Sequence, residues 1–365
     1  MRMREIDALD DFYSIKKEWD RLLLSTRSKN IFLTWEWNYT WFKHYGKNKN
    51  LLILLFEDDG EINGILPLVR SKYYNRIFSY DVLENMGIPN SDYSGIIISD
   101  KCNEIADQIF DQLGKFIKTH RIIFQMKELP KNVELYQILK KRLFLNGIYV
   151  REQPSDHCPY IPIQGSWEEY YSKLSKKLRH DISRRKRKFR KEIGEPVFRK
   201  CMNDDNLEND FNIFLDLQSM KRRSKGLNEG YKEMEKSEQE FLYEISQIFK
   251  ANGWLRLSFL EVNGAAISCD LSFEYDNIYY DYLPAFNPQY RSYSIGIIHQ
   301  ICILKNLFQK GVKEYDFMRG NESYKSDWTS LKRDNEHIIA YDDSFTLDIN
   351  LLFLNYVIKF RKGLI

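Results

Sequence analysis

The chain is predicted to be an α/β protein with mixed (α+β) sheets, assembled from two copies of one strand-rich unit. Three observations predict this. A hairpin pattern occurs twice, at 51–66 and at 255–271, each with two apolar runs around an acidic turn that contains glycine. Each hairpin is followed by further strand-like residues, then a helix (about 103–120 and 296–310), then a short apolar strand (122–126 and 314–318). With 365 residues, 43% hydrophobic and 15% aromatic, the chain exceeds one ordinary core and is too apolar to be disordered, so two domains are expected.

The elements follow in order. An opening helix carries Ile15, Trp19, Leu22 and Leu23, and a Trp-rich stretch at 30–37 precedes the first hairpin. The segment 153–162 holds Pro154, Pro159 and Pro162 and is the best junction, because proline disfavours continued helix. The first unit is therefore placed at 1–155 and the second at 156–365. The second opens with a basic helix over 173–191. Two apolar helices follow, 211–220 and 241–249, around a polar stretch at 222–230 that reads as a loop able to close over an acceptor. The apolar tail at 351–358 reads as a helix or strand closing the second domain, with membrane-surface contact as the alternative.

Function is most legible where the aromatic strand 278–283 hands over to the helix at 296–310. Arg291, Ser292, Tyr293, Ser294, Ile295 and Gly296 lie in that turn. A helix start offers unpaired N–H groups and the positive end of the helix dipole, which together cradle a pyrophosphate. Small residues at 294 and 296 let backbone approach phosphate oxygens, and Arg291 supplies a charged fork. These residues resemble the acyl-CoA pyrophosphate loop of the GNAT acyltransferases: Arg or Gln, two free positions, Gly, one free position, then Gly or Ala. Ser294 departs from that pattern at its first glycine. The corresponding turn of the first copy, 90–95, contains Asp92 and no arginine, so an anionic donor is expected only in the second copy.

Tandem units with a loop only in the second resemble the Fem peptidyltransferases and, over nearly the whole chain, the CelD/BcsL group of cellulose-biosynthesis-type acetyltransferases. The resemblance is carried by the Trp-rich start, the hairpin ending Gly64-Ile65-Leu66-Pro67-Leu68, the basic helix, and the string from Tyr315 to Lys325. It implies an acyl-CoA-dependent N-acyltransferase, using acetyl-CoA or another acyl-CoA, that acts on an amino sugar, nucleotide sugar or other polar amine of cell-surface polysaccharide assembly. A Fem-like transferase taking aminoacyl-tRNA is the enzymatic alternative. A non-catalytic protein that holds an anionic partner is the alternative from another class.

Acyl transfer to an amine needs a base for the amine, a donor for the developing oxyanion and a proton for the leaving thiolate. Carboxylates embedded in apolar strands suit the base, because burial raises their pKa. Asp281 is favoured, on the strand that feeds the loop, with Asp270 next and Glu322 a further candidate; Asp316 reads as structural, orienting the turn at Arg319-Gly320. The Tyr324 phenol is the expected acid for the thiolate. Lys325 resembles the Lys of the aromatic-Lys pair in Fem-type enzymes, which implies oxyanion or phosphate binding. His157, His180, His299 and His337 have no Ser or Cys motif around them, so a nucleophilic triad is a poor reading.

Net charge is only +3, yet the 173–191 helix carries eleven Lys and Arg against Asp181. Its apolar stripe, Leu174, Leu178, Ile182, Phe189 and Ile193, is interrupted at Arg185. Arg185 and Arg319 are the expected substrate-binding arginines, and a polyanion such as tRNA is a possible, second-choice partner of this helix. Five scattered cysteines with no CxxC pair favour reduced thiols in a cytoplasmic protein and argue against a metal site. No signal-peptide pattern and no run of membrane-spanning length is read in the sequence.

Overall fold

A computed structural model describes residues 1–74, 79–99, 103–201, 206–224 and 234–342. The expected tail at 351–358 and residues 225–230 of the expected polar loop lie outside the described residues. Two compact units form: Met1–Asp156 together with Asp334–Ile365, and His157–Arg333. The break at 156/157 falls in the proline-rich segment. From Asp334 onward, however, the chain belongs to the first unit, where the sequence reading had run the second unit on to 365.

In the first unit, β1 (Arg2–Ile6) is followed by α1 (Leu9–Ser14), α2 (Lys16–Ser25) and α3 (Trp35–Tyr45), then by the hairpin β2 (Asn50–Asp58) and β3 (Glu61–Tyr74). The strands β4 (Ser79–Asn85) and β5 (Ile97–Ile98), the helix α4 (Asn103–His120), β6 (Ile123–Pro130), α5 (Glu134–Leu145) and β7 (Ile148–Pro162) complete the run. The order β1-β2-β3-β4-β6 ends on a strand from the C-terminal part, Lys332–Asp342. The hairpin is in register from Asn50 opposite Arg70 to Asp58 opposite Glu61, with a bulge beside Glu57. Pairing is antiparallel except between β4 and β6, the two strands that flank α4. Leu54, Phe56 and Leu66 from the sheet, Ile109, Phe110 and Leu113 from α4, and Ile338 and Ala340 share one core. The Trp-rich start is buried structure: Thr34 caps α3, and Asn38 donates to the Phe32 and Thr34 carbonyls.

In the second unit, α6 (Trp167–Lys173) starts with a capping box of Ser166 and Glu169, and α7 (Lys176–Glu192) is capped by Ser175. The strand β8 (Val197–Lys200), the helices α8 (Leu207–Ser224) and α9 (Lys236–Ala251), the meander β9 (Leu255–Val262), β10 (Ala265–Tyr275) and β11 (Ile278–Phe286), the helix α10 (Ile295–Lys310) and β12 (Glu314–Asp316) follow, and then β13 (Lys332–Asp342), which belongs to the first unit from Asp334 onward. The order is β7-β12-β11-β10-β9-β8. Again one pair, β11 with β12, is parallel and flanks the connecting helix, while its neighbours are antiparallel. Parallel neighbours need a crossover, and α10 supplies it.

Register sets which side chains can meet. Ser268, Asp270 and Ser272 alternate onto one face of β10, and Tyr279 and Asp281 onto one face of β11. The bulge between Leu271 and Phe273 shifts the β10–β11 pairing, and Tyr279 lies opposite Tyr315 across the parallel pair.

Candidate active site

The turn from β11 to α10 begins with a short 3-10 helix, Pro288–Tyr293, capped by Asn287. Its last link is Ser294, held in the left-handed region at φ 52°, ψ 51°. That conformation costs a non-glycine residue roughly 1–2 kcal/mol, which is why glycine is the usual residue at such a bend. The Ser294 carbonyl accepts from Ile297 and Ile298, so the first N–H groups of α10, at Ile295 and Gly296, are at the mouth of the turn. A side-chain carbon at Gly296 would meet nothing nearer than Phe286 at 3.8 Å, so the approach to this backbone is open.

The basic helix packs against this turn. Phe189 on its buried stripe contacts the Tyr290 and Tyr293 rings, and Lys188 lies 5.0 Å from the Tyr293 ring centre. Arg185, the residue that interrupts the stripe, donates from its guanidinium to the Ser294 hydroxyl. The serine thus holds an arginine fork over the helix start, with most of the fork's donors unspent among the described residues. Arg291 is exposed and donates to Ser224 at 3.3 Å. Ser292 is exposed beside it, and the Tyr293 hydroxyl is taken by Glu192 at 2.8 Å.

Beneath α10 lies a buried carboxylate pair. Asp270 is 2% exposed; its Oδ2 accepts from Ser272 at 2.8 Å and from Tyr279 at 2.9 Å, while Oδ1 has no partner among the described residues. Asp281 is 7% exposed and its Oδ2 accepts from Tyr315 at 2.6 Å; Tyr315 in turn accepts from Gln300 of α10 at 3.3 Å. Burial first, and then the Asp281 charge, hold the Asp270 carboxyl well above the usual carboxylate range. Burial raises Asp281 as well, but the Tyr315 hydrogen bond and the Lys325 and Lys221 charges pull it back. Both acids are thus raised and they titrate as a pair, with Asp270 held the more strongly toward its neutral form and Asp281 the better placed to ionise.

The string after β12 folds into a tight turn. Asp316 accepts from the Met318 N–H at 2.8 Å, as expected of an acid that shapes this bend. Lys325 is 4% exposed and donates to the carbonyls of Met318 at 3.2 Å and Arg319 at 3.0 Å. It also pairs with Glu322 at 2.9 Å. Burial works to raise Glu322, but this hydrogen bond prevails and holds its carboxyl below the usual value. Gly320 sits at φ 136°, a backbone conformation that favours glycine. Tyr324 projects toward the pair and makes no side-chain hydrogen bond among the described residues. Burial, then the Asp281 and Glu322 charges, raise its phenol, so the proton stays on oxygen at neutral pH.

The structure thus brings together Asp281, Asp270, Tyr324 and Lys325, and separately Arg185, Ser294, Ile295 and Gly296. Sequence reasoning missed Tyr279, Tyr315 and Gln300, which hold the two acids. The signal was available only as Tyr279 and Asp281 two residues apart on one strand. It also missed that His299 stands between Ser258, 3.1 Å from Nε2, and Ser268, 3.0 Å from Nδ1. These serines are remote in sequence. Burial pushes His299 down to about 3, so it is a neutral core residue at working pH.

Residues 176–326 match the family model described as an acetyltransferase (GNAT) domain. The chain therefore carries a GNAT acyltransferase domain, the class of enzyme that moves an acyl group to an acceptor, and the matched span runs from the basic helix through the Tyr324-Lys325 turn. Among solved structures, FemX aligns with a TM-score of 0.64 at 11% identity, covering 93% of this chain and 97% of FemX. The L-PGS of Bacillus licheniformis aligns at 0.53 and 10% identity, covering 93% and 95%. A tandem GNAT protein from the clavulanic acid biosynthesis pathway aligns at 0.50 and 8%, covering 92% and 98%. These likenesses define the fold, a mixed α/β architecture of the tandem GNAT kind. No curated protein matches the chain. Among the described residues, no helix is long and apolar enough to cross a membrane.

Proposed function

We propose that the second unit is an acyl-CoA-dependent N-acyltransferase whose donor pyrophosphate is held at the start of α10. The observation that carries this reading is the left-handed Ser294, which bends the chain into a helix start and holds the Arg185 fork over it. The chemistry of this donor set fits a diphosphate: open N–H groups at 295 and 296, Arg185, and Arg291 at the rim. The acceptor is a polar amine, with amino sugars and nucleotide sugars of cell-surface polysaccharide assembly as the preferred class on the sequence resemblance.

In the reaction, the acceptor nitrogen forms a bond to the thioester carbonyl carbon and the carbon–sulfur bond breaks. Asp281 takes the proton that the nitrogen loses; the Tyr315 hydroxyl fixes its orientation, and burial beside Asp270 raises its basicity. Tyr324 keeps its proton at neutral pH and gives it to the departing thiolate. Lys325 shapes the turn that positions Tyr324 and adds positive charge beside Asp281.

Acetyl-CoA is expected to raise the melting temperature of the wild type, and the Arg185→Glu, Arg291→Glu double variant is expected to abolish the shift. Stabilisation by aminoacyl-tRNA and not by acetyl-CoA would transfer the donor assignment to the Fem-like class, which the cationic α7 also suits. No stabilisation by either ligand would defeat the donor site.

A further inference from the structure

A second cavity lies at the other end of α10. Its volume is about 520 Å³, within the range of small-molecule sites of roughly 300–1,000 Å³. It is lined by the second halves of α10 and α9 and by the ends of β8, β9 and β10. The α10 residues on it begin at Ile303 and end at Lys310, so at about 1.5 Å per residue they stand roughly 14 Å or more from Ser294. No residue of the donor turn lines it, nor does Asp270, Asp281, Tyr324 or Lys325.

Four cations face this cavity, Lys200, Lys250, Arg256 and Lys310, against one carboxylate, Glu274. Glu274 is shared: it accepts from Arg256 at 2.8 Å and from Lys310 at 2.6 Å. Lys200 has no carboxylate partner among the described residues; its ammonium donates to the neutral Asn306 amide at 2.7 Å. Burial, then the Lys310 and Arg256 charges, lower its pKa, and Glu274 offsets them only in part. The C-terminal end of α10 contributes roughly −0.5 of a charge, too little to cancel the Lys200 ammonium that Glu274 does not reach. The remaining walls are apolar, with Leu255, Leu257, Ile303 and Leu307 buried. Tyr279, which lines one side, is the residue whose hydroxyl holds Asp270.

We propose that this cavity is a second ligand site, for a small organic anion that carries a phosphate or carboxylate head on an apolar body. The head seats between Lys200 and the Arg256/Lys310 pair, and the body lies on the apolar wall. The site is separate from the donor turn, so it stands whether or not the donor assignment does.

Isothermal titration calorimetry of the full chain with phenyl phosphate, octanoate and inorganic phosphate tests this. Saturable one-site binding of phenyl phosphate or octanoate is expected, at least tenfold tighter than inorganic phosphate. Lys200→Glu, an exposed change, is expected to weaken it at least tenfold while leaving the acetyl-CoA affinity unchanged; Lys200→Gln is expected to weaken it less. Phosphate head preference over carboxylate, or the reverse, identifies the head. Binding undiminished in Lys200→Glu, inorganic phosphate binding as tightly as the organic probes, or no saturable binding of any probe would overturn the proposal.

Discussion

The two units run the same course, an antiparallel meander, a connecting helix and a parallel strand, and part company in the connection that enters the helix. In the second unit residues 287–294 join β11 to α10 and leave the helix start open beside Arg185. In the first unit residues 86–99 follow β4 on the way to α4 and pack against the neighbouring elements. Ser91, Asp92, Tyr93 and Ser94 are buried there. Trp37 donates to Ser91 at 2.8 Å, the Ser94 hydroxyl donates to the Lys127 carbonyl, and Asn335 donates to the Asp92 carbonyl at 2.9 Å. The first connection spends polar groups on neighbouring elements of its own unit, whereas the second leaves donors turned outward. One topology thus serves as packing in one copy and as a candidate anion cradle in the other.

The buried acids offer the same lesson. In the first unit Glu128 accepts from Ser155 and Asn335, and Glu336 pairs with Lys140, so each acid has a neutral donor or a cation. In the second, Asp270 and Asp281 have each other and two tyrosines. Two coupled acids in unequal surroundings are raised to different extents, which suits a base and its support.

The largest expected effect is on catalysis. Asp281→Asn should lower kcat by about 10²–10⁴-fold, the usual worth of a positioned base, with the acetyl-CoA Kd unchanged in a binding titration. Because burial raises Asp281, wild-type kcat should climb with pH above the ordinary carboxylate range, as the base loses its proton. An undiminished kcat in the variant would remove Asp281 from the mechanism.

A core change in the first unit should act on stability alone. Leu54→Ala removes a fully buried side chain and should cost about 2–5 kcal/mol in denaturant unfolding, with the Kd for acetyl-CoA preserved in the folded fraction. A lost Kd at intact fold would show that the first unit contributes to donor binding.

At the turn itself, Arg185→Glu should weaken acetyl-CoA by tenfold or more, roughly 1.4 kcal/mol. The mirror experiment is Glu104→Lys, which adds a cation to the first turn of α4 and should create no second binding event in calorimetry. The smallest effect belongs to Ser294→Gly. Relief of left-handed strain should stabilise the chain by up to about 1 kcal/mol, and loss of the Arg185 contact should weaken acetyl-CoA a few-fold. Tighter binding in the glycine variant would mean that the serine hydroxyl has no part in holding Arg185.

Local pattern was enough for a large share of this molecule. Alternation and Gly-containing turns specify the hairpins at 51–66 and 255–271, 3.6-residue spacing specifies α10, and the prolines at 154, 159 and 162 mark the unit boundary. The bend at 291–296 was legible as a strand-to-helix turn, because small residues between an apolar strand and an apolar helix suit such a turn. These features depend on contacts between near neighbours, which sequence order preserves.

Long-range pairing supplied the rest. The return of the chain after Asp334 to the first sheet, the seating of Arg185 on Ser294, and the convergence of Tyr279, Tyr315 and Gln300 on two aspartates join residues far apart in sequence. So does the gathering of Lys200, Lys250, Arg256 and Lys310 around one cavity. Strand register, including the bulge after Leu271, decides which of these side chains share a face, and burial then decides which acid keeps its proton. Register and burial are set by the free energy of the whole packed unit, and no stretch of neighbouring residues encodes either one.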